Sequence, residues 1–285
     1  MRRSWEWVHF PMGRPDLAMK TSSRYAPDAL SPGETPRSHL ERLRSAEFEL
    51  VAGWFEPGSH VLELGAGSGY QASLLTARGC HVTALDIPGR PPHEKMYYQV
   101  DDYDGCTIPL SDQSVDAVFS SHVLEHIDPH APLLAEIRRV MKPSGVAVHV
   151  LPSTTWRIWT SIMHYPFVLK TLVLGRRADS LVSVASPKDA IRRHGVFGAI
   201  FKSAIHPLVA HGSSSNAVAE VWAFRRKRWI TLFTRSGFLV VSSLPSKLFY
   251  TGYGVFSDMT LEKRRHLSSF LGSASHVFVL RKSTL

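Results

Sequence analysis

Residues 61–69 read Val-Leu-Glu-Leu-Gly-Ala-Gly-Ser-Gly, and an acidic residue, Asp86, follows seventeen positions after the last glycine. Val61 to Leu64 is a short apolar run of strand type. Gly65, Gly67 and Gly69 stand at alternate positions. Without a Cβ they let the backbone turn tightly and approach a ligand closely. Tyr70 to Ala77 carries a helix pattern, and His81-Val-Thr-Ala-Leu-Asp86 is a second strand that ends on a carboxylate. A carboxylate at that strand tip of a βαβ unit accepts hydrogen bonds from ribose hydroxyls. A dinucleotide fingerprint wants G-x-G-x-x-G, with its third glycine inside the helix start. Here bulky Tyr70 occupies that place, and Glu63, two residues before Gly65, is a further departure.

The 285 residues suffice for one α/β domain with an elaboration. Cys80 and Cys106 form no metal or redox motif and suit a reducing compartment. Met1-Arg-Arg-Ser is followed by Trp5-Glu-Trp7 rather than an apolar signal core, and no uncharged run reaches membrane-span length. A cytoplasmic location is expected. The net charge of +9 is unevenly split. Residues 1–150 hold 14 Lys+Arg against 19 Asp+Glu, net −5, and residues 151–285 hold 19 against 5, net +14. The second half therefore calls for an anionic partner: a phosphorylated substrate, an acidic membrane surface or nucleic acid.

Residues 1–35 are rich in Pro, Arg and Ser and lack periodicity, so an irregular arm is expected there. A helix is expected within 36–55, a third strand over Tyr97–Val100, a fourth over Val115–Ser121, a helix over Pro132–Met141 and a fifth strand over Gly145–Leu151. Lys142-Pro-Ser-Gly reads as the helix stop. The rhythm resumes with a helix over Arg226–Arg235 and strands at Phe238–Ser242 and His276–Leu280. Alternating strands and helices predict a parallel sheet with ligands at the carboxyl ends of its strands, where Glu63, Asp86, Asp104 and Ser121 all fall. Residues 152–225 break the rhythm and read as an inserted cap over the site.

The string E-L-G-x-G-x-G resembles the cofactor loop of class I S-adenosylmethionine-dependent methyltransferases. Asp104-Gly105, Ile108-Pro-Leu110, Ser114-Val-Asp116, Ser121-His-Val-Leu-Glu-His126 and Val140-Met-Lys-Pro-Ser-Gly145 are similar to successive segments of the small-molecule (type 11) branch. The resemblance implies a Rossmann-like α/β sheet with helices on both faces, S-adenosyl-L-methionine as cofactor, and methyl transfer as the activity. It implies that Gly65, Gly67 and Gly69 bring amides to the methionine portion and that Glu63 orders that loop. It also implies that Asp86 takes the ribose with Ile87 beside the adenine, and that Asp104 and Gly105 form the adenine edge, Asp102 being the competing acid. Ser121 and His122 then line the tip of the fourth strand. No N-P-P-Y or D-P-P-Y tetrapeptide is present, so methylation of nucleic-acid bases is not supported and no nucleic-acid partner is expected. The rival readings are a nicotinamide oxidoreductase and a cofactor-binding module without transfer.

His122-Val-Leu-Glu125-His126 also matches H-x-x-E-H, an inverted zinc-peptidase pattern. That pattern needs a downstream carboxylate ligand on a supporting helix, whereas here it follows a strand of a nucleotide-type sheet, so no metal is expected. Glu125 and His126 are instead the candidate catalytic residues, with His126 as a general base because imidazole titrates near neutrality. A helix-start hydrogen bond is the competing role for the pair. Trp156, Trp159, His164, Tyr165 and Phe167 suit packing, or an apolar substrate floor. His211-Gly-Ser-Ser-Ser-Asn216 reads as a polar loop, and Arg225-Arg-Lys-Arg228 as a solvated face or an anion contact. The stretch Leu151–Trp159, the His-Gly-Ser run and Trp229–Phe238 also resemble methyltransferases met in bacterial surface-polysaccharide gene sets. The expected substrate is a small molecule, glycan or lipid-linked molecule of anionic character, with peripheral contact to an acidic membrane.

Overall fold

The computed structural model describes residues 38–89, 95–174, 211–214 and 216–283. The expected arm over 1–35, and residues 175–210 of the expected cap, lie outside the described residues. The first described helix, α1 (His39–Val51), starts where its sequence says it should. Ser38 Oγ accepts the Glu41 N–H at 3.2 Å and the Glu41 carboxylate accepts the Ser38 N–H at 2.7 Å, a reciprocal cap. A short 3₁₀ turn, Ala52–Trp54, leads into β1 (His60–Leu64). Then follow α2 (Tyr70–Ala77), β2 (His81–Asp86), β3 (Asp101–Asp102), β4 (Val115–Ser121), α3 (His130–Val140) and β5 (Met141–Pro152). Next come α4 (Thr154–Leu174), α5 (Ala217–Ala223), α6 (Arg226–Arg235), β6 (Phe238–Pro245), α7 (Leu261–Leu271) and β7 (Ser275–Lys282).

The seven strands form one sheet in the order β3-β2-β1-β4-β5-β7-β6. Phe48, Val51, Phe55 and Leu75 cover one face with Phe119 and Val148 beneath them. Leu134, Ile137, Trp229 and Phe233 cover the other with Val118 and Phe278. Helices therefore lie on both faces.

Three expectations are corrected. The sheet is mixed: β7 runs antiparallel to both β5 and β6. The connection from β6 to β7 thus begins and ends at the carboxyl end of the parallel strands, which holds residues 246–274 on the ligand side. The third strand is not Tyr97–Val100; only Asp101 and Asp102 pair with β2, opposite Leu85 and Asp86. Residues 97–98 are held elsewhere, because the Tyr97 N–H donates to the Ser68 carbonyl at 2.8 Å and the Tyr98 hydroxyl to the Val82 carbonyl at 2.8 Å. Lys142-Pro-Ser-Gly is not a stop between helix and strand. Met141 already pairs with Val115, and a register shift before Ala117 absorbs the Pro143–Gly145 stretch within β5.

Candidate active site

The glycine turn closes on β2. The Gly65 N–H donates to the Leu85 carbonyl at 2.8 Å. Asp86 Oδ2 accepts the Gly67 N–H at 2.7 Å and Oδ1 accepts the Ile87 N–H at 2.7 Å. The carboxylate therefore shapes the loop and still presents acceptor lone pairs at the strand tip. At Gly69 φ is +73°, and an added Cβ would stand 2.7 Å from Tyr98 Cβ and 2.9 Å from Tyr98 N and O. Only glycine serves there. Glu63 is 2% exposed, and its Oε2 has no hydrogen-bond partner among the described residues. Burial, with Asp86 adding to it, pushes its pKa up to about 8 against the opposing Ala72 N–H.

Asp104 Oδ1 accepts N–H groups from Thr107 at 2.6 Å and Cys106 at 2.7 Å, which hold its carboxyl below the usual range. Gly105 sits beside Ile87: a Cβ there would be 3.3 Å from Ile87 Cγ2. The structure thus brings Asp86, Ile87 and Gly105 to one rim, while Asp102 pairs in register with Asp86. At the tip of β4, Ser121 Oγ is buried and has no partner among the described residues. A bidentate acid at the tip of β2, a glycine turn and orphaned buried oxygens at β1 and β4 fit a ligand carrying ribose hydroxyls and further polar groups. Asp86→Ala is expected to weaken binding of S-adenosylhomocysteine by about 1–3 kcal/mol in calorimetry, the loss of a charged acceptor together with the loop's anchor. Parental affinity would move the ribose site elsewhere.

His122 does not line this crevice as a free side chain. Its φ is +57° and its ring is turned into a buried polar network. Tyr250 donates its one proton to Glu47 Oε1 at 2.6 Å, so in its 3.2 Å contact with the Tyr250 oxygen His122 Nε2 is the donor. Arg44 donates to Glu47 Oε2 at 2.6 Å, and Ser275 donates to Oε1. Burial works against charge on Glu47, but Arg44 and His122 outweigh it and hold its carboxyl well below the usual range. Burial and Arg44 oppose protonation of His122; Glu47 and Glu125 outweigh them and raise its pKa.

Glu125 and His126 lie on a 3₁₀ turn, Leu124–His126, rather than at a helix start. The Glu125 side chain is fully buried, whereas that of His126 is 43% exposed. The sequence missed what packs on this turn. The Ser213 N–H donates to the Glu125 carbonyl at 2.9 Å. A Cβ at Gly212 would stand 2.2 Å from the Glu125 carbonyl oxygen, so only glycine allows this approach. Glu220 Oε1 accepts the N–H groups of His211, at 2.6 Å, and Gly212, while its Oε2 pairs with Arg157 Nε at 3.1 Å. The His211 ring is thereby placed edge-to-face between His126 (centroids 4.8 Å) and Trp156 (4.9 Å). Burial, followed by the neighbouring His126, lowers the His211 pKa to about 4 and keeps the ring neutral. The one signal in the sequence was the His-Gly pair, whose glycine permits the close approach.

Helix α4 buries Trp156, Arg157, Thr160, His164 and Phe167 and exposes Ile158, Ile162, Tyr165 and Leu169. No helix among the described residues is long and apolar enough to cross a membrane.

The methyltransferase-domain family matches residues 62–149. A protein of Mycolicibacterium smegmatis named "Probable S-adenosylmethionine-dependent methyltransferase" is 31% identical over 146 residues, covering 50% of this chain and 56% of that protein. The malonyl-[acyl-carrier protein] O-methyltransferase of Serratia marcescens is 36% identical over 103 residues, covering 34% of this chain and 40% of that protein. The chain thus spans about half the length, or less, of these curated relatives. Among solved structures, a SAM-dependent methyltransferase from Archaeoglobus fulgidus superposes with a TM-score of 0.50 at 17% identity, over 85% of this chain and 94% of that one, a likeness of fold. The matched span runs from β1 to β5 and contains the glycine turn, Asp86 and the Glu125–His126 turn. Over residues 62–149 the chain matches the methyltransferase-domain family, and the mixed seven-stranded sheet shares the fold of a solved SAM-dependent methyltransferase.

Proposed function

We propose that this chain binds S-adenosyl-L-methionine in the crevice at Glu63, Gly65, Gly67, Gly69, Asp86, Ile87, Asp104, Gly105 and Ser121, and methylates a small molecule, glycan or glycolipid. The observation that carries this reading is the Asp86 carboxylate, which clamps the Gly67 N–H and presents acceptors at the tip of β2. The bound cofactor supplies an electrophilic methyl group, so no covalent nucleophile is required of the protein. What remains for the chain is to position the acceptor about 3 Å from the methyl and to exclude water.

His126 and Glu125 belong to the acceptor side. They follow directly on Ser121 and His122 at the carboxyl end of β4, and His126 is the half-exposed member. His126→Ala is expected to lower turnover at least about 10-fold while leaving S-adenosylhomocysteine affinity within about 2-fold. Equal losses in both would return His126 to a structural role.

The anionic character of the acceptor rests on the +14 second half. The exposed apolar face of α4 supports a lipid-linked acceptor and peripheral contact with an acidic leaflet, where each Lys or Arg contributes about 1 kcal/mol. A cytoplasmic setting follows the same reading. The test is incubation with methyl-labelled cofactor and a cell extract. Label in the glycan or glycolipid fraction is the expected outcome; label in tRNA, quinone or protein would reject this substrate class. Titration with NADH, read by fluorescence, separates the nicotinamide alternative, and cofactor binding without turnover on any fraction would favour the binding-module alternative.

A further inference from the structure

The Glu125 carboxylate is fully buried, and neither of its oxygens has a hydrogen-bond donor among the described residues. The nearest nitrogens, His122 Nδ1 and His126 Nε2, stand 3.5 and 3.9 Å from Oε1, beyond the range of a charge-assisted hydrogen bond. A buried carboxylate is found paired or on a metal; here both imidazoles face Oε1, and Oε2 is left with no hydrogen-bond partner among the described residues. The third side chain here, His211, comes from a segment 85 positions beyond His126. Its main chain is pinned by the Glu220 carboxylate, and the neighbouring Ser213 N–H is bound to the Glu125 carbonyl. One ligand atom each from Glu125, His126 and His211 lies within 4.8 Å of the others.

We propose that Glu125, His126 and His211 form a binding site for a divalent transition-metal ion of the zinc type, on the acceptor side of the crevice. Two imidazoles and a carboxylate are the donor set of zinc, cobalt(II) and manganese(II) sites, and three protein ligands leave open positions for water or substrate oxygen. Neighbouring ligands of a tetrahedral zinc ion are about 3.3 Å apart, given bonds of about 2.0–2.1 Å. Reaching that spacing from within 4.8 Å needs side-chain rotation, and His126 is the exposed member of the three. His122 Nδ1, facing the same carboxylate oxygen, lies at the edge of the cluster. The two supports of His211, Glu220 to its backbone and Trp156 to its ring, act as outer-shell groups that fix ligand orientation. The use of the ion in the reaction rests on the methyl-transfer reading: an acceptor hydroxyl or phosphate oxygen would bind at the open position, and a bound hydroxyl gives its proton to solvent more readily.

The test uses the full chain, free of any affinity tag and stripped with chelator, in equilibrium dialysis against Co²⁺ followed by visible absorption and Zn²⁺ competition. One Co²⁺ per chain, with ligand-field bands displaced by Zn²⁺, is expected. Loss of an outer-shell partner costs about 10–100-fold in metal affinity, so His211→Ala and His126→Ala are each expected to lose about 100-fold or more. His126→Gln, at a half-exposed position, carries the test if the His211 variant does not fold. Absence of stoichiometric binding, or binding that these variants leave unchanged, overturns the proposal. S-adenosylhomocysteine calorimetry on the same samples separates the two readings. Metal without nucleoside binding removes the methyltransferase assignment but keeps the site, and nucleoside without metal does the reverse.

Discussion

Gly69→Ala is expected to destabilise the protein by about 2–5 kcal/mol and to abolish measurable cofactor binding at millimolar ligand. A non-glycine residue in the left-handed region costs about 1–2 kcal/mol, and φ at Gly69 is +73°. Steric overpacking adds about 1–3 kcal/mol, because the new Cβ would meet the Tyr98 backbone N and O at 2.9 Å rather than the end of a flexible side chain. Relief requires moving residues 97–98 away from the Ser68 carbonyl, which dismantles the turn that cradles the ligand. Gly53→Ala is the matched control: its Cβ meets nothing within 4 Å, and a change within about 0.5 kcal/mol is expected. Denaturant midpoints for the two variants check this. A Gly69 variant as stable as the control would mean that the turn has another conformation.

The second large effect is a pH dependence that belongs to Glu63. Its native carboxyl holds its proton up to about 8, against an ordinary value of about 4.5. Between those values the native state binds more protons than the unfolded chain, so the slope of stability with pH is negative. The contribution of Glu63 is therefore fully present below about 4.5 and is lost as pH rises through 8. At about 1.4 kcal/mol per unit, the loss is on the order of 5 kcal/mol by pH 9. Glu47 and Glu125 have lowered values and work in the opposite sense, their stabilisation being lost as pH falls. The wild-type curve alone mixes these. The difference between wild type and Glu63→Gln isolates the buried carboxyl, and it should shrink with rising pH as the wild type loses its advantage. A difference independent of pH between 5 and 9 would mean that Glu63 is ionised in the folded protein.

The glycine turn and the acid that closes it were legible in the sequence because they are local. Val61–Leu64, the three glycines and Asp86 lie within one βαβ unit, and hydrophobic period and glycine spacing encode such a unit directly. The Ser121–His126 stretch was readable for the same reason, although its backbone forms a 3₁₀ turn and its His122 faces Glu47 and Tyr250. The acceptor side was not readable, because it is assembled by long-range contacts. His211 reaches Glu125 through main-chain hydrogen bonds that any residue type can make. Glu47 looked like one more acid on an amphipathic helix, and its burial is set by Arg44, Tyr250 and Ser275. The antiparallel β7 escaped as well, since a strand buried on both faces shows an apolar run whichever way it points.

The Glu47 network has a consequence for biosynthesis. Its partners Tyr250 and Ser275 lie 203 and 228 positions farther along the chain. At about 5–20 residues per second, roughly 10–45 s separate the synthesis of Glu47 from that of Ser275. Throughout that interval the cofactor loop, encoded early, can form its turn, while the polar junction beneath the tip of β4 waits for the last strand. The nascent chain on the ribosome is therefore a nucleotide-loop scaffold without its buried charge relay. The surroundings of His122 are therefore completed only once Tyr250 and Ser275 have been made.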